Sequence, residues 1–550
     1  YEIGVRLVGS EMCIRDRWEF RADRAAMPLA ALCWDGGVAA AAVEPYSESE
    51  AGIIRNGVFA ALPDAFGISL GYTNDPTTFK NRSTPAPSTR SMACKAQTSG
   101  RIYLHSGPRT ELHEIIRQEY ARHQDRAVPR NTLRQAVQGM LDTFAYQNFD
   151  AAAGEYTNRC CRPPRETEMR PWRLVTEIGW TGGGVLAYPL VLCRDALGAD
   201  AEAPLAAAMS GEQLFDRIAD AYNENSGLLN DLMAPNAAGS QVNGWWTGYG
   251  LVKDCHCAYT VGSAVHYLTK TMDYLHQNGK PCPAKWMDAA QKVLHTVMDL
   301  QRADGAFGYT YSTQERKVLD WSGFAGCWFA PALVYLYRLT GEERCLYSAE
   351  KALDYYHTFV KDLNCYGTPM DTWKAVDEEG NLAFMRGSRL LYEQTGKAEF
   401  LQYMKDSAGY EFLWRYGYKT YPEHTPLNQG WSACGGAVTS VSNPHIHPMG
   451  VIIDTDLRYL ARVTGDGYYA SRAADSAAWM LQCLELYPAA TGYGRYGVLS
   501  ERWCPSDGLD VERFSDGRPF SSWFSHNLWA SACVLEAACE LLLESEHKKG

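Results

Sequence analysis

Three acidic residues stand beside tryptophan or near glycine in the long polar segments of this sequence, and they are its first candidates for chemistry. Glu177 precedes the run GWTGGG, Asp320 opens DWSG, and Asp371 opens DTW. Two carboxyl groups in one cleft can act as general acid and general base when their surroundings separate their pKa values. Each could instead cap the following helix, because a helix amino terminus stabilises negative charge. We expect two of the three to be catalytic, without assigning acid and base.

Tryptophan recurs at the ends of these same segments. An indole can stack on the apolar face of a ligand, or it can pack beneath its own segment as structural support. The glycines after Glu177 are expected to let the backbone approach a ligand closely. We expect at least two or three of the recurring tryptophans to bind substrate; the candidates are Trp180, Trp245, Trp246, Trp321, Trp373 and Trp431.

Two histidines and a tyrosine complete the candidate binding residues. His445 and His447 in NPHIHP are two residues apart, so in an extended segment both side chains lie on the same side. Tyr309 lies in a further long segment, QRADGAFGYTYS. We expect these three side chains to contact hydroxyl groups of a ligand.

A metal site has little support from the cysteine spacing. RCCRPP (Cys160, Cys161) and KDCHCAY (Cys255, His256, Cys257) contain residue types that bind zinc, but neither is a C-x2-C pair. No phosphate-binding loop and no dinucleotide fingerprint occurs. We therefore expect no metal and no cofactor.

Helical patterns fill the chain from about residue 131 and position the segments described above. Helices that are apolar on most faces alternate with helices that carry a charged face, as buried and exposed helices do. Several buried helices end in a TG turn, where glycine suits a left-handed C-cap, and a long segment follows each exposed helix. We predict twelve helices, over 131–147, 181–197, 211–224, 255–275, 284–303, 325–340, 342–361, 382–395, 398–417, 448–464, 467–486 and 525–545.

The first part of the chain has a different texture. Residues 1–17 have no starting Met and no periodicity, and they resemble a translated sequencing adapter, so we exclude them from fold reasoning. Short apolar runs between Gly/Pro/Thr turns predict an incomplete β-sandwich domain over 18–110. A linker helix is expected over 111–130, followed by a helical catalytic domain over 131–545.

Composition limits the partners. The 550-residue chain has a formal net charge of −12 and no basic block, which argues against nucleic acid as a partner. No run approaches the roughly 18 uninterrupted apolar residues of a membrane span. The 17 cysteines are scattered through apolar contexts, which favours a reducing compartment, so we expect a cytoplasmic protein. The oligomeric state is left open.

Twelve helices in six hairpins, alternately buried and exposed and preceded by a β-domain, resemble the six-hairpin glycosidase superfamily. The resemblance implies a mainly α fold, an (α/α)6 toroid with an N-terminal β-sandwich. It also implies an enzyme that hydrolyses glycosidic bonds with two carboxyl groups, by an inverting course, and a carbohydrate as substrate. Aromatic residues and short polar groups at one end of the ring suit a pyranose.

Two alternatives remain open at this point. A polysaccharide lyase or uronate-processing enzyme would use a Tyr or His to remove a proton, and Arg or Lys beside Tyr309, Tyr421 or His445 would favour it. A non-catalytic carbohydrate-binding toroid would have aromatic platforms without a facing pair of carboxylates.

Overall fold

The computed structural model describes most of the chain after its first 17 residues. The described residues are 18–547 apart from 50–51, 62–65, 70–98, 124–125, 151–154, 161–169, 174–176, 180–181, 199–201, 233–243, 248–249, 369–373, 426, 429, 441–442, 485–496, 498, 505–508, 514–516 and 524. Three candidate site residues, Trp180, Asp371 and Trp373, lie outside the described residues.

Thirteen α-helices occur in the described part of the chain. They are α1 Glu111–Arg122, α2 Leu133–Thr143, α3 Gly184–Leu197, α4 Glu202–Asp220, α5 Ala258–Gln277, α6 Ala284–Asp299, α7 Phe329–Thr340, α8 Glu343–Lys361, α9 Glu379–Thr395, α10 Ala398–Glu411, α11 Asp454–Thr464, α12 Gly467–Gln482 and α13 Leu528–His547. A 3-10 turn leads into α7 (Ala325–Trp328) and another into α11 (Met449–Ile453), and a π turn, Phe144–Asn148, extends α2.

The helices after α1 form two concentric rings. The inner helices α3, α5, α7, α9, α11 and α13 pack side by side in chain order, and α13 packs back on α3. The outer helices α2, α4, α6, α8, α10 and α12 lie against them. This closed ring of six hairpins is the (α/α)6 toroid that the sequence predicted, and the fold class is confirmed.

Local sequence explains why these segments form two kinds of helix. In α3 nearly every residue is buried, including all of VLAYPLVLC, as a helix enclosed by neighbours requires. In α8 the buried residues recur on one face and the charged residues lie on the other. The predicted TG turns are confirmed, because Gly341, Gly396 and Gly465 end their helices with φ angles of 73°, 65° and 70°.

The first part of the described chain consists of antiparallel strands. They are β1 Trp18–Arg21, β2 Leu29–Trp34, β3 Gly37–Val43, β4 Tyr46–Ser49, β5 Gly52–Arg55, β6 Val58–Ala61, β7 Phe66–Ser69 and β8 Gly100–Ser106. They form sheets in the orders β1-β6-β7, β2-β3-β8 and β4-β5. The strands contact the toroid where Gly417 N–H donates to the Ala26 carbonyl, at 3.0 Å. The β-sandwich and the domain boundaries stay predictions.

A long connection precedes each inner helix, and most of these connections contain short strands. The strands are β9 Phe149–Asp150, β10 Glu155–Tyr156, β11 Asn158–Cys160, β12 Arg170–Arg173, β13 Tyr222–Asn223, β14 Leu228–Leu229, β15 Gly244–Thr247, β16 Gly250–Lys253, β17 Cys255–Cys257, β18 Thr310–Ser312, β19 Val318–Asp320, β20 Ala437–Ser440, β21 Asn443–His447, β22 Leu509–Arg513, β23 Pro519–Phe520 and β24 Ser525–His526.

Each long connection pairs with the next one around the ring. β17 pairs with β18, and β11 pairs with β24, which joins the first connection to the last. Phe324 N–H donates to the Tyr366 carbonyl at 2.8 Å, between the third and fourth connections. Isolated bridges join the remaining neighbours: Glu177 with Leu232, Asp377 with Ser440, and Ile446 with Trp503. All six connections therefore meet where the inner helices begin, an end of the ring called the loop end below.

Among the described residues, no helix combines the length and the apolar character needed to cross a bilayer.

Candidate active site

Asp320 lies at the loop end as an ion-paired carboxylate. Its Oδ1 accepts hydrogen bonds from the backbone N–H and the hydroxyl of Ser322, both at 2.9 Å. Lys374 Nζ lies 2.6 Å from Oδ2. Partial burial raises the pKa of Asp320, but the hydrogen bonds from Lys374 and Ser322 outweigh it and hold the pKa below its usual range. The group is therefore an anion at neutral pH, suited to a general base.

Glu177 lies at the loop end and is 2% exposed. The next residue, Ile178, donates its backbone N–H to the carbonyl of Asp231 at 2.9 Å. The glycines that follow do not serve the purpose expected from the sequence. A Cβ on Gly179 would lie 2.2 Å from the carbonyl oxygen of Thr260, and a Cβ on Gly183 would lie 2.1 Å from that of Ile178. These glycines are therefore required by close packing of the protein's own backbone, and the ligand approach stays a prediction.

The candidate tryptophans divide by burial. Trp245 and Trp431 are 1% and 3% exposed and belong to the hydrophobic core, which matches the structural alternative left open by the sequence. Trp246 lies on β15. Trp321 is partly exposed, and the guanidinium of Arg302 lies 5.2 Å from its ring centroid. Among candidate tryptophans whose side chains the structure describes, Trp321 is the one with surface left for a ligand.

Tyr309 lies between Asp320, at the end of β19, and the start of α5. Its backbone N–H donates to the Asp320 carbonyl at 2.7 Å, and its carbonyl accepts from Ala258 N–H at 3.0 Å. Lys374 Nζ lies 5.0 Å from the centroid of its ring. Burial raises the phenol pKa well above its usual value, and the nearby Cys257, Asp377 and Asp320 add to that rise. The hydroxyl of Tyr309 is therefore neutral, and the residue is 1% exposed.

His445 and His447 share one side of β21, as their spacing predicted. Their ring centroids are 6.2 Å apart. His447 donates from Nδ1 to the His445 carbonyl at 2.7 Å and stacks on Trp529, with centroids 5.9 Å apart. Both histidines are 2% exposed. The two side chains are therefore buried beside the start of α13.

Sequence reasoning missed a carboxylate at the ring axis. The hydroxyl of Tyr259, on α5, lies beside the carboxylate of Glu379, on α9. Tyr259 also points its hydroxyl at the sulfur of Met449, 3.9 Å away. Burial raises the pKa of the Cys533 thiol on α13, and the charges of Glu536, Glu379 and Glu378 add to the rise. Glu379 thus lies near Tyr259 of α5 and Cys533 of α13. Neither of these helices adjoins α9 in the ring, so the Glu379 carboxylate lies near the axis.

A sequence signal for this carboxylate existed in the run VDEEGN. We predicted a helix over 382–395, whereas α9 begins at Glu379, so the three consecutive acids were assigned to a loop. The acids diverge because successive side chains point in different directions as the helix starts. Asp377 accepts hydrogen bonds from Thr368 N–H and Gly380 N–H, at 3.0 and 3.3 Å, and its burial raises its pKa to about 7.

Glu378 turns away from the axis into a cluster of buried charges. Burial and the neighbouring Glu411 raise the pKa of Glu378 well above its usual range, which favours the protonated form. Arg415 lies 2.8 Å from Glu411 and 2.8 Å from Asp454. A Cβ on Gly450 would lie 2.2 Å from Glu378 Oε1, so only glycine fits beside this carboxyl. This cluster of buried charges stabilises the start of α9, next to Glu379.

Charged side chains fill the ring axis about three helical turns further along α5. Lys270 Nζ lies 2.5 Å from Glu536 and 2.7 Å from Glu540 of α13. Arg386 of α9 lies 2.8 Å from Asp456 of α11. Protein therefore occupies the axis at this depth.

The structure offers no support for metal chemistry in the described part of the chain, where no group of three or more His, Cys, Asp or Glu side chains could hold an ion. His256, between Cys255 and Cys257, instead hydrogen-bonds to Asp231 and Ser226 at 2.8 and 2.9 Å. The arrangement at the loop end can bind an uncharged polar ligand and transfer protons through carboxyl groups.

Comparison with known proteins finds similarity in structure alone. No family model matches the sequence, and no curated protein matches it. A family 76 glycoside hydrolase (mannosidase) from Bacteroides thetaiotaomicron VPI-5482 aligns with a TM-score of 0.48 at 14% identity, over 76% of this chain and 99% of its own. A family 76 glycoside hydrolase from a bovine Bacteroides thetaiotaomicron strain aligns with a TM-score of 0.49 at 12% identity, over 98% and 99%. Cellobiose 2-epimerase from Spirochaeta thermophila DSM 6192 aligns with a TM-score of 0.46 at 11% identity, over 79% and 98%.

Proposed function

We propose that this chain is a glycoside hydrolase that cleaves an oligo- or polysaccharide at the loop end of its toroid. The observation that carries the proposal is the buried carboxylate of Glu379, which lies beside the Tyr259 hydroxyl at the ring axis. Hydrolysis of a glycosidic bond needs one carboxyl group to protonate the leaving oxygen and a second to activate water or attack carbon.

The second carboxyl group comes from the residues that the sequence singled out. Asp320 suits the general base because Lys374 and Ser322 keep it ionised. Glu177, buried in the first long connection, and Asp371 remain alternatives for the same role. The sugar would be bound by Trp321, His445, His447 and Tyr309, with Trp321 as the stacking platform at the loop end. The substrate is a carbohydrate, and no cofactor takes part.

A lyase acting on uronates is the second candidate, because Lys374 lies beside Tyr309 as that reaction would require. In the lyase, a cation neutralises the uronate carboxylate while a Tyr or His removes the neighbouring proton. Asp320 lies 2.6 Å from Lys374 Nζ, so the positive charge is already offset. The pairing favours the hydrolase.

A screen with aryl glycosides and aryl uronides tests the proposal. Wild type should release the coloured phenol from at least one glycoside, and the variants Glu379→Gln, Glu177→Gln, Asp320→Asn and Asp371→Asn should identify the two carboxyl groups by loss of turnover. Ultraviolet absorbance from an unsaturated uronide would instead establish the lyase. Tight sugar binding without turnover of any substrate would establish a non-catalytic toroid.

A further inference from the structure

Three buried polar side chains in the connection before α5 form a continuous hydrogen-bonded chain. His256 Nδ1 lies 2.8 Å from Asp231 Oδ2, and His256 Nε2 lies 2.9 Å from Ser226 Oγ. His256, Asp231 and Ser226 are 0%, 1% and 1% exposed. With the proton on Nδ1, the imidazole donates to Asp231 and accepts from the Ser226 hydroxyl. Every polar atom of the ring is therefore satisfied.

The order serine, histidine, aspartate is that of a nucleophilic triad, but the surroundings are those of a structural link. Ser226 Oγ also accepts a hydrogen bond from the backbone N–H of Leu228, at 3.2 Å. A nucleophile must reach the carbonyl carbon of a substrate, and the Ser226 side chain is enclosed by protein. The chain of hydrogen bonds therefore has a different purpose.

Asp231 connects two segments that carry residues of the proposed site. Its Oδ1 accepts from the backbone N–H of Cys257 at 3.2 Å, two residues before Tyr259. Its carbonyl oxygen accepts from Ile178 N–H at 2.9 Å, immediately after Glu177. The bridge between Glu177 and Leu232 extends this link by one residue. One residue thus fixes the start of α5 against the Glu177 segment.

We propose that Ser226, Asp231 and His256 form a positioning clamp that fixes Glu177 and Tyr259, and through Tyr259 the carboxylate of Glu379, in their catalytic geometry. The kinetic consequence rests on the proposed function, whereas the structural consequence does not. Displacement of a reacting group by about 1 Å can reduce turnover by about 10²-fold. Loosening the clamp should therefore lower kcat more than it changes KM.

A second buried histidine–carboxylate pair supplies a matched control. His357 Nε2 lies 2.7 Å from Asp406 Oδ2 between the outer helices α8 and α10, and both residues are buried. His256→Gln and Ser226→Ala loosen the clamp, while His357→Gln breaks a similar bond away from the loop end. The four proteins, including wild type, are compared at a temperature well below the lowest melting temperature.

The first readout is hydrogen exchange measured by mass spectrometry. The clamp predicts at least tenfold faster exchange in peptides that contain Ile178 and Tyr259 for His256→Gln, and unchanged exchange there for His357→Gln. The second readout is steady-state kinetics on the glycoside found in the screen. His256→Gln and Ser226→Ala should lower kcat at least tenfold with KM within threefold, and His357→Gln should leave both values within twofold.

The outcomes separate this inference from the proposed function. If exchange accelerates as expected while wild type hydrolyses no glycoside, the clamp stands and the proposed function fails. Exchange and kcat at wild-type values in His256→Gln would overturn the clamp, and so would equal losses in His357→Gln. Covalent labelling of Ser226 by a fluorophosphonate would also overturn it, because the serine would then be a nucleophile.

Discussion

Tyr259 of α5 lies beside Glu379 of α9 although α7 separates these two helices in the ring. The two side chains come close because the inner helices surround a narrow axis, where side chains from non-adjacent helices meet. The burial of Tyr259 raises its phenol pKa well above the usual value, and the charge of Glu379 adds to the rise. The Tyr259 hydroxyl therefore stays protonated beside this carboxylate.

Replacement of this carboxylate should abolish most activity. Glu379→Gln keeps the size of the side chain but removes the exchangeable acid proton, and general acid catalysis contributes about 10²–10⁴-fold. We expect kcat for an aryl glycoside to fall by at least about 10²-fold, with the melting temperature close to that of wild type. Glu399→Gln, at an exposed position of α10, serves as the control and should remain fully active. A Glu379→Gln enzyme within threefold of wild type would remove this residue from the mechanism.

The tryptophans should separate into a structural group and a binding group. Trp245→Ala removes a buried side chain and should lower the free energy of unfolding by about 3–5 kcal/mol. Trp321→Ala replaces a partly exposed residue at the loop end. It should leave stability nearly unchanged and raise KM for an oligosaccharide several-fold. Urea unfolding and steady-state kinetics measure the two effects. Equal stability losses in both variants would show that Trp321 is also structural.

The ion pairs on the ring axis should be important for stability. Lys270→Met leaves the carboxylates of Glu536 and Glu540 without the lysine ammonium, and breaking a buried pair costs about 3–5 kcal/mol. The double variant Lys270→Met/Glu536→Gln should recover part of this loss, because it also removes one buried charge. Urea unfolding of both variants tests the expectation. A loss below about 1 kcal/mol in Lys270→Met would contradict it.

The charge cluster behind Glu379 should make stability fall with rising pH. Burial raises the pKa of Asp454 to about 7, although Arg415 opposes the rise. Below about pH 4 both the folded and the unfolded chain hold this proton. Between about pH 4 and 7 only the folded chain holds it, so the contribution of Asp454 to stability is lost progressively as pH rises through that window.

Asp454→Asn tests this dependence because the amide cannot ionise. The fall in melting temperature between pH 5 and pH 7.5 should be smaller in Asp454→Asn than in wild type. Asp288→Asn, on the exposed face of α6, should show the wild-type fall. A steeper fall in Asp454→Asn than in wild type would show that the sign is wrong.

The sequence predicted the toroid well because its signals are local. Apolar periodicity and the TG turns located each helix, and the alternation of buried and charged helices indicated two rings. The site was harder to predict because it depends on contacts across the ring. Tyr259 and Glu379 are far apart in sequence, and so are Lys270 and Glu536, and no local pattern predicts that either pair meets on the axis.

The tryptophans illustrate the same limit. Trp245 and Trp321 both lie near glycine at the end of a long connection. Trp245 is nevertheless buried in the core, while Trp321 is partly exposed at the loop end. The difference comes from how neighbouring connections pair at the loop end. The glycines after Glu177 were assigned to a ligand for a similar reason, since their neighbours, Thr260 among them, are distant in sequence.

The central claim is that Glu379 protonates a glycosidic oxygen at the loop end, and a crystal structure of Glu379→Gln with an uncleaved oligosaccharide tests it most directly. The account predicts a glycosidic oxygen within hydrogen-bonding distance of the substituted side chain at position 379, with a carboxylate of Glu177, Asp320 or Asp371 on the opposite face of the sugar ring. An oligosaccharide bound with its glycosidic bonds remote from that position would contradict it.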